Sequence, residues 1–385
     1  MFSERITPDF KLRDLSVRNS FNALKDLDIL LLLLMAALLV IGSLFIYGTG
    51  QQIGGEFINY WLRNLLWIGL GSIGFLFFAL IDYRLLAKWS WLMYIAVVLL
   101  LILVLFAGKE INNARSWLEV PLLGFTIQPA ELAKPVTLLF LCWLVSRTGF
   151  RINRMADLIF FGIILALPFF LITQQPDYGT ALVYIPVALV IAFAGGLSWR
   201  LIAGGLVALV ILCPLAYNLV LAPHQQERIK TFVTPAEDIS DTGWNAYQSM
   251  LAVGSGGMYG KGFMNGTQHA LGYLPQTVAP SDFIYSVIGE ETGFIGSAAV
   301  ICAFMGVLLC CFRGATLAKD KLGSFICLGV ATLLFVHVYV NIGMTIGASP
   351  IIGIPLPFIS YGGSFMICIM ACMGLVENVY IRSRT

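Results

Sequence analysis

Charge is what this chain has least of. Lys, Arg, Asp and Glu make up 11% of its 385 residues, against roughly a quarter in soluble domains, so water is excluded as the solvent for most of its surface. Histidine is scarce too: His224, His269 and His337 lie far apart and lack metal-ligand spacing, which argues against a histidine metal centre. The eight cysteines (Cys142, Cys213, Cys302, Cys310, Cys311, Cys327, Cys368 and Cys372) sit within or at the ends of apolar runs. None falls in the longest polar stretch, so a disulfide framework is not expected. A formal net charge of +2 gives no reason to invoke nucleic acid. There is no repeat of solenoid length and no low-complexity linker. A cleavable signal peptide is not expected either, because residues 1–26 are polar and the run after them is too long for one.

What the chain has instead is apolar length: 59% of residues are hydrophobic and mean hydropathy is +0.87. Roughly 20 residues of helix cross the hydrocarbon layer. Runs at 27–48, 60–81, 88–107, 131–147, 157–174, 180–196, 200–222, 283–311, 322–346 and 355–379 fit that length or fall a little short of it. The predicted fold class is an all-α membrane protein with about ten transmembrane helices. An N-terminal cytoplasmic arm (1–26) precedes a single membrane domain (27–385). With the N-terminus inside, the cytoplasmic segments hold sixteen of the 23 basic residues, the asymmetry expected of a multi-pass protein with both termini cytoplasmic. Residues 223–282, between the seventh and eighth runs, form a long outward loop. Its aromatic content predicts a folded, partly re-entrant lid rather than disorder.

Polar residues near membrane depth are costly and are therefore functional candidates. Asp282, where the long loop meets the eighth run, is either a helix cap or a carboxylate able to take a proton from a hydroxyl. Glu290 lies two turns deeper on roughly the same face, and Glu291 points elsewhere. Glu131 and Lys134 share a helix face; they form either a self-neutralising ion pair or a cation for a phosphate-bearing ligand. Arg115 and Trp117 could add a second cation and an interfacial aromatic surface. Asp177 sits in a Pro/Gly turn that faces the same side. The stretch Gly254–Gly262, with Lys261, has the glycines of a phosphate loop but not the spacing; tight turns are the simpler reading, with an anion cradle the alternative. Gly353–Ser364, including Ser360 and Ser364, carries prolines and glycines that break helix geometry, which is tolerated where backbone lines a polar cavity.

Together these stretches closely resemble the SEDS family (shape, elongation, division and sporulation). The matching pieces are Asn113–Trp117, Gln128–Lys134, Gln175–Thr180, Gln248-Ser249 running into Gly254–Gly262, Gly266–Gln268, Asp282–Ile284, Asn341–Met344 and Pro355–Ser364. They span nearly the whole chain in the family's order, and Pro355–Ser364 resembles the rod-shape branch more than the division branch. The chain departs from the pattern at Leu274-Pro275-Gln276, where the family has Leu-Pro-Glu, so any role of that glutamate is not carried over.

The resemblance implies a ten-helix glycosyltransferase of the bacterial cytoplasmic membrane that polymerises lipid II into peptidoglycan during elongation. It would work with a class B penicillin-binding protein. Asp282 occupies the position of the family's essential aspartate and is read as general base in an inverting displacement. Lys134, Arg115 or a divalent cation (Mg or Mn) would offset charge on the departing pyrophosphate, with Gln248 and Lys261 among the substrate-binding candidates. Two other readings stay open: a lipid II flippase, disfavoured by the missing inverted repeat and the outward position of the polar clusters, and a non-catalytic scaffold.

Overall fold

The computed structural model describes residues 26–111, 114–120, 125–219, 226 and 241–384. Apart from Asp26, the predicted N-terminal arm lies outside the described residues, as do 220–222 of the seventh predicted run and 223–225 and 227–240 of the predicted lid. Eleven α-helices are present among the described residues: α1 Ile29–Ile53, α2 Tyr60–Leu80, α3 Tyr83–Ala107, α4 Pro129–Ser146, α5 Met155–Thr173, α6 Tyr178–Ala194, α7 Trp199–Leu219, α8 Asp241–Ser255, α9 Ile284–Leu317, α10 Lys321–Thr345 and α11 Gly363–Arg384. Each of the ten predicted runs corresponds to one of them, and α8 is the additional helix, inside the lid. Eight are long and apolar enough to cross a bilayer, and α6, at 17 residues, is apolar but shorter. α11 is the most enclosed of the eight, and it packs along α2 at the centre of the bundle. Apolar side chains that elsewhere would be buried point outward from the peripheral helices. Leu33, Val40 and Leu44 of α1 and Leu99, Leu103 and Phe106 of α3 are examples; on a membrane protein this is the lipid-facing surface.

Two features differ from the sequence expectation. The stretch between α3 and α4 is not purely helical. It folds as a three-stranded antiparallel sheet of β1 Lys109–Ile111, β2 Ala114–Val120 and β3 Phe125–Ile127, with Leu118 opposite Ile127 and Lys109 opposite Trp117. The last helix starts at Gly363 rather than near residue 355. Pro355 and Pro357 cannot donate to a helix ladder, and Phe358 takes a φ of 65°, so residues 351–362 run as a buried non-helical segment. Gly42 of α1 makes room for it: a Cβ there would lie 2.6 Å from the Cα of Ile359.

Polar ties mark the two ends of the bundle. At one end the Asp28 backbone N–H donates to Glu377 (2.6 Å), Arg84 pairs with Asp320 (2.7 Å) and Arg382 with Asp82 (3.3 Å). The start of α1 and the end of α11 therefore share a face. At the opposite end Gln52 bonds the Met264 carbonyl, and the Tyr361 N–H donates to Pro280 (3.0 Å). The lid and the 351–362 segment meet there.

The described part of the lid is held by a break in α9. That helix is 34 residues long, about 51 Å at the α-helical rise and more than a bilayer requires. Gly293 interrupts it at φ 65° and ψ −160°. The interruption frees the carbonyls of Glu290 and Glu291 to accept the N–H groups of Lys261 and Gly262, both at 3.0 Å. A Cβ at Gly260 would sit 2.1 Å from the Glu291 oxygen, and one at Gly293 would sit 2.4 Å from the Gly260 nitrogen. The glycines of 254–262 thus serve a close backbone crossing. Substituting Gly293 with Ala should destabilise the protein by about 2 kcal/mol or more, through positive φ and collision together. Thermal unfolding in detergent checks this, and an unchanged midpoint would refute the crossing.

Candidate active site

Asp282 lies in the turn Val278–Phe283, ahead of α9. Its N–H donates to the Val278 carbonyl (2.9 Å), and its own carbonyl accepts from Asn341 Nδ2 (3.0 Å). Asp28, Asp82, Asp177 and Asp320 each cap a helix by accepting a backbone N–H with the side chain. Asp282 does not: the residue at the N-cap of α9 is Phe283, and no side chain caps that helix. Capping therefore leaves the Asp282 carboxylate unexplained. The residue is half-buried, and the protein packed around its carboxyl group partly desolvates it. That desolvation pushes its pKa up from 3.8 to about 6, opposed by the Ser281 hydroxyl and helped by the negative charge of Asp177.

The wall beside this carboxylate is the 351–362 segment. A Cβ on Gly353 would come within 3.3 Å of Asp282 Oδ2. Ser360 donates its hydroxyl to the Ser281 carbonyl and accepts the Leu356 N–H at 2.8 Å. Asp177, at the N-cap of α6, accepts from the Thr180 N–H (3.1 Å) and from Gln128 Nε2 (2.6 Å), while the Gln128 N–H donates to Ser364 Oγ (3.1 Å). The starts of α4, α6 and α11 are thereby tied together next to the Asp282 turn.

The Glu131–Lys134 pair of α4 is buried. Lys134 Nζ lies 2.8 Å from Glu131, 3.2 Å from His337 Nε2 and 5.3 Å from the centre of the Phe365 ring. A small cavity lined by Lys134, Thr137, Tyr184 and Leu333 borders the pair, and Asp282 is not among its lining residues. In this arrangement Lys134 serves its protein neighbours.

A non-capping, desolvated aspartate at the mouth of a helix in a multi-pass membrane protein narrows the field, and comparison with known proteins closes it. The model of the FtsW/RodA/SpoVE family, cell cycle protein, matches residues 25–385. The chain belongs to that family. It is 32% identical to the peptidoglycan glycosyltransferase MrdB of Escherichia coli (strain K12), over 92% of this chain and 93% of the relative. It is 33% identical to a probable peptidoglycan glycosyltransferase FtsW of Trichlorobacter lovleyi, again over 92% and 93%. Among solved structures it resembles the rod shape determining protein RodA of Thermus thermophilus, with a TM-score of 0.68, 28% identity and coverage of 92% and 96%. It also resembles a chain from a peptidoglycan synthase complex in which polymerization and crosslinking are coordinated, with a TM-score of 0.79, 30% identity and coverage of 93% and 98%.

The other predicted site residues of this family member fall into two groups. Asp177, Ser360 and Ser364 join the network around Asp282. Glu290 instead anchors the lid: it accepts from Lys261 Nζ (2.5 Å), the Thr267 N–H (2.7 Å) and the Gln268 N–H (3.2 Å). Glu291, predicted to point elsewhere, grips the same loop through the N–H groups of Met264 (2.9 Å) and Gly266 (3.2 Å). Gln248 is buried on α8. Arg115 is exposed on β2, and Trp117 is half-buried beside it. Sequence reasoning missed His337, set aside as an isolated histidine, and gave Asn341 no role; the pairing of His337 with Lys134 crosses 203 positions and leaves no local signal. Among the described residues no group of three or more His, Cys, Asp or Glu stands close enough to hold a metal.

If Lys134 serves mainly to neutralise Glu131, then Lys134→Met alone should cost about 3–5 kcal/mol, because it strands a buried carboxylate. The double variant Glu131→Gln/Lys134→Met should recover most of that loss in a thermal melt. Equal destabilisation of the single and double variants would show that the pair is not the reason for their burial.

Proposed function

We propose that the chain is a peptidoglycan glycosyltransferase that polymerises lipid II, with Asp282 as the general base. The observation that carries the assignment is a half-buried, partly desolvated aspartate that caps no helix, at the membrane boundary of a chain whose relatives in both branches bear that enzyme name. In this reading the carboxylate removes the proton of the acceptor sugar hydroxyl as it attacks the donor's anomeric carbon. The polyprenyl pyrophosphate leaves from the opposite face, and a single displacement inverts the centre. Arg115, exposed on β2, is the remaining candidate cation for the leaving group, because Lys134 is engaged by Glu131 and His337. A divalent cation, Mg2+ or Mn2+, would meet Asp177 with its oxygens already bonded to Gln128 and Thr180, so no step here is routed through one.

Ten transmembrane helices with both termini cytoplasmic fit the shared face of Asp28 and Glu377 together with the basic residues at that end. The Asp282 end is then extracytoplasmic. A class B penicillin-binding protein is the natural partner, given the likeness to a chain of a complex that joins polymerization to crosslinking. Identity to the two branches is alike, so the assignment to elongation and cell shape rests on the Pro355–Ser364 motif and the rod-shape structural neighbour.

Purified protein given lipid II in detergent is expected to make glycan strands, and Asp282→Asn, correctly folded, is expected to make none. A flippase would leave lipid II unpolymerised; an active Asp282→Asn would remove the base assignment. Activity should rise with pH through about 6, as the carboxyl ionises. Stability has the opposite sign. A carboxyl pKa raised on folding contributes stability at low pH, which is lost as pH climbs through about 6. A pH–rate profile with no acid limb near that value would contradict the proton-acceptor role.

A further inference from the structure

Two buried side chains of α10 remain without a role in this scheme. Asn341 and His337 are four residues apart and so share a helix face; both are fully buried. Asn341 Nδ2 donates to two backbone carbonyls, Asp282 at 3.0 Å and Ile354 at 2.8 Å. Its amide oxygen has no partner among the described residues. A flipped amide would set oxygen against two carbonyl oxygens, so chemistry fixes the orientation. An unpartnered buried oxygen costs stability, which marks this residue as present for its two donors.

His337 continues the line. Its Nδ1 lies 3.1 Å from the Pro355 carbonyl, which can only accept, so Nδ1 carries the proton. Nε2 then holds the lone pair and accepts from the Lys134 ammonium at 3.2 Å. Lys134 is bonded in turn to Glu131. Consecutive carbonyls, Ile354 and Pro355, are therefore held by consecutive turns of α10, and the next residue back, Gly353, forms the wall against the Asp282 carboxylate.

We propose that Asn341 and His337 are positioning residues. Together with Lys134 they form a brace from α4 through α10 that fixes both the backbone of Asp282 and the wall its carboxylate rests on. The proposal rests on Asp282 acting as the base. The brace makes two contacts on either side of the carboxylate without touching it, so it acts on placement and enclosure. Among charged groups, Asp177 is the one that acts on the Asp282 carboxyl, whereas Lys134 is bonded to both Glu131 and His337.

The test is polymerisation of lipid II in detergent as a function of pH, with Asn341→Ala, His337→Leu, His337→Gln and Asp282→Asn compared in the full-length protein. Folding is followed by thermal melting. With the brace cut, Asn341→Ala is expected to lose about 10- to 100-fold in kcat with KM little changed. Its acid limb should move below that of the parent, because water reaches the loosened carboxyl. His337→Leu should behave likewise, and His337→Gln, whose amide can donate to Pro355 and accept from Lys134, should stay near the parent.

A folded Asn341→Ala with parental kcat and pH profile, beside an inactive Asp282→Asn, overturns the brace alone. An active Asp282→Asn overturns the base assignment and the brace with it. Should Asn341→Ala fail to fold, the two His337 variants decide: indistinguishable pH–rate profiles for Leu and Gln overturn the proposal, and a shift confined to Leu supports it.

Discussion

Backbone that leaves the helix inside a membrane protein must find its hydrogen-bond partners within the protein, because hydrocarbon offers none. The segment 351–362 is the main instance here. Its prolines and the positive φ at Phe358 rule out an internal ladder. Several of its polar groups are met from outside, Ile354 by Asn341, Pro355 by His337 and Tyr361 by the Pro280 carbonyl, while the Leu356 N–H is met within the segment by Ser360. Three of those partners hold or belong to the turn that carries Asp282: Asn341 bonds the Asp282 carbonyl, Ser360 bonds the Ser281 carbonyl, and Pro280 lies in the turn itself. The same accounting that makes a buried irregular segment tolerable thus decides where the candidate base stands.

The break in α9 obeys the same rule. Gly293 releases two carbonyls that an unbroken helix would have used, and the lid residues Lys261 and Gly262 take them up. The two glutamates just before the break then accept four backbone N–H groups of residues 264–268. Buried carboxylates are expensive unless they are bonded this fully. Glu290 and Glu291 are therefore better understood as the clamp of the lid than as ligands for a substrate. The glycine-rich stretch that resembles a phosphate loop gets its glycines from the same crossing, where a Cβ would strike a carbonyl of α9.

Hydrophobic length alone located all ten helical runs, because a span is a local property: roughly 20 apolar residues either occur or do not. What local pattern could not reveal was of three kinds. The β1–β2–β3 sheet includes strands as short as three residues, too brief for an alternation to register. The start of α11 slipped by eight positions because Phe358 and Ile359 are as apolar as a span, and only their dihedral angles expose them as loop. The partnership of Lys134 with His337, and of Asp282 with Asn341, joins residues far apart in the chain. Lys134 and Asp282 were visible as costly polar groups, but their partners were not, and no spacing could pair them. Asp282 itself stood out by position, with capping the competing explanation until Phe283 proved to hold the N-cap.

That last point bears on why this aspartate suits proton transfer. At an N-cap a carboxylate is stabilised by the helix N–H groups and dipole, which favour the charged form and make it a weak base. One turn-position earlier, Asp282 escapes that stabilisation while remaining partly desolvated, and its pKa moves upward instead. Asp177, which does cap its helix, contributes negative charge from nearby and strengthens the effect. An acceptor hydroxyl needs a base that is ionised near neutrality yet still holds a proton well, which is the condition burial without capping produces. The non-helical segment opposite, tied down through α10, packs close to the carboxyl at Gly353 and contributes to that desolvation.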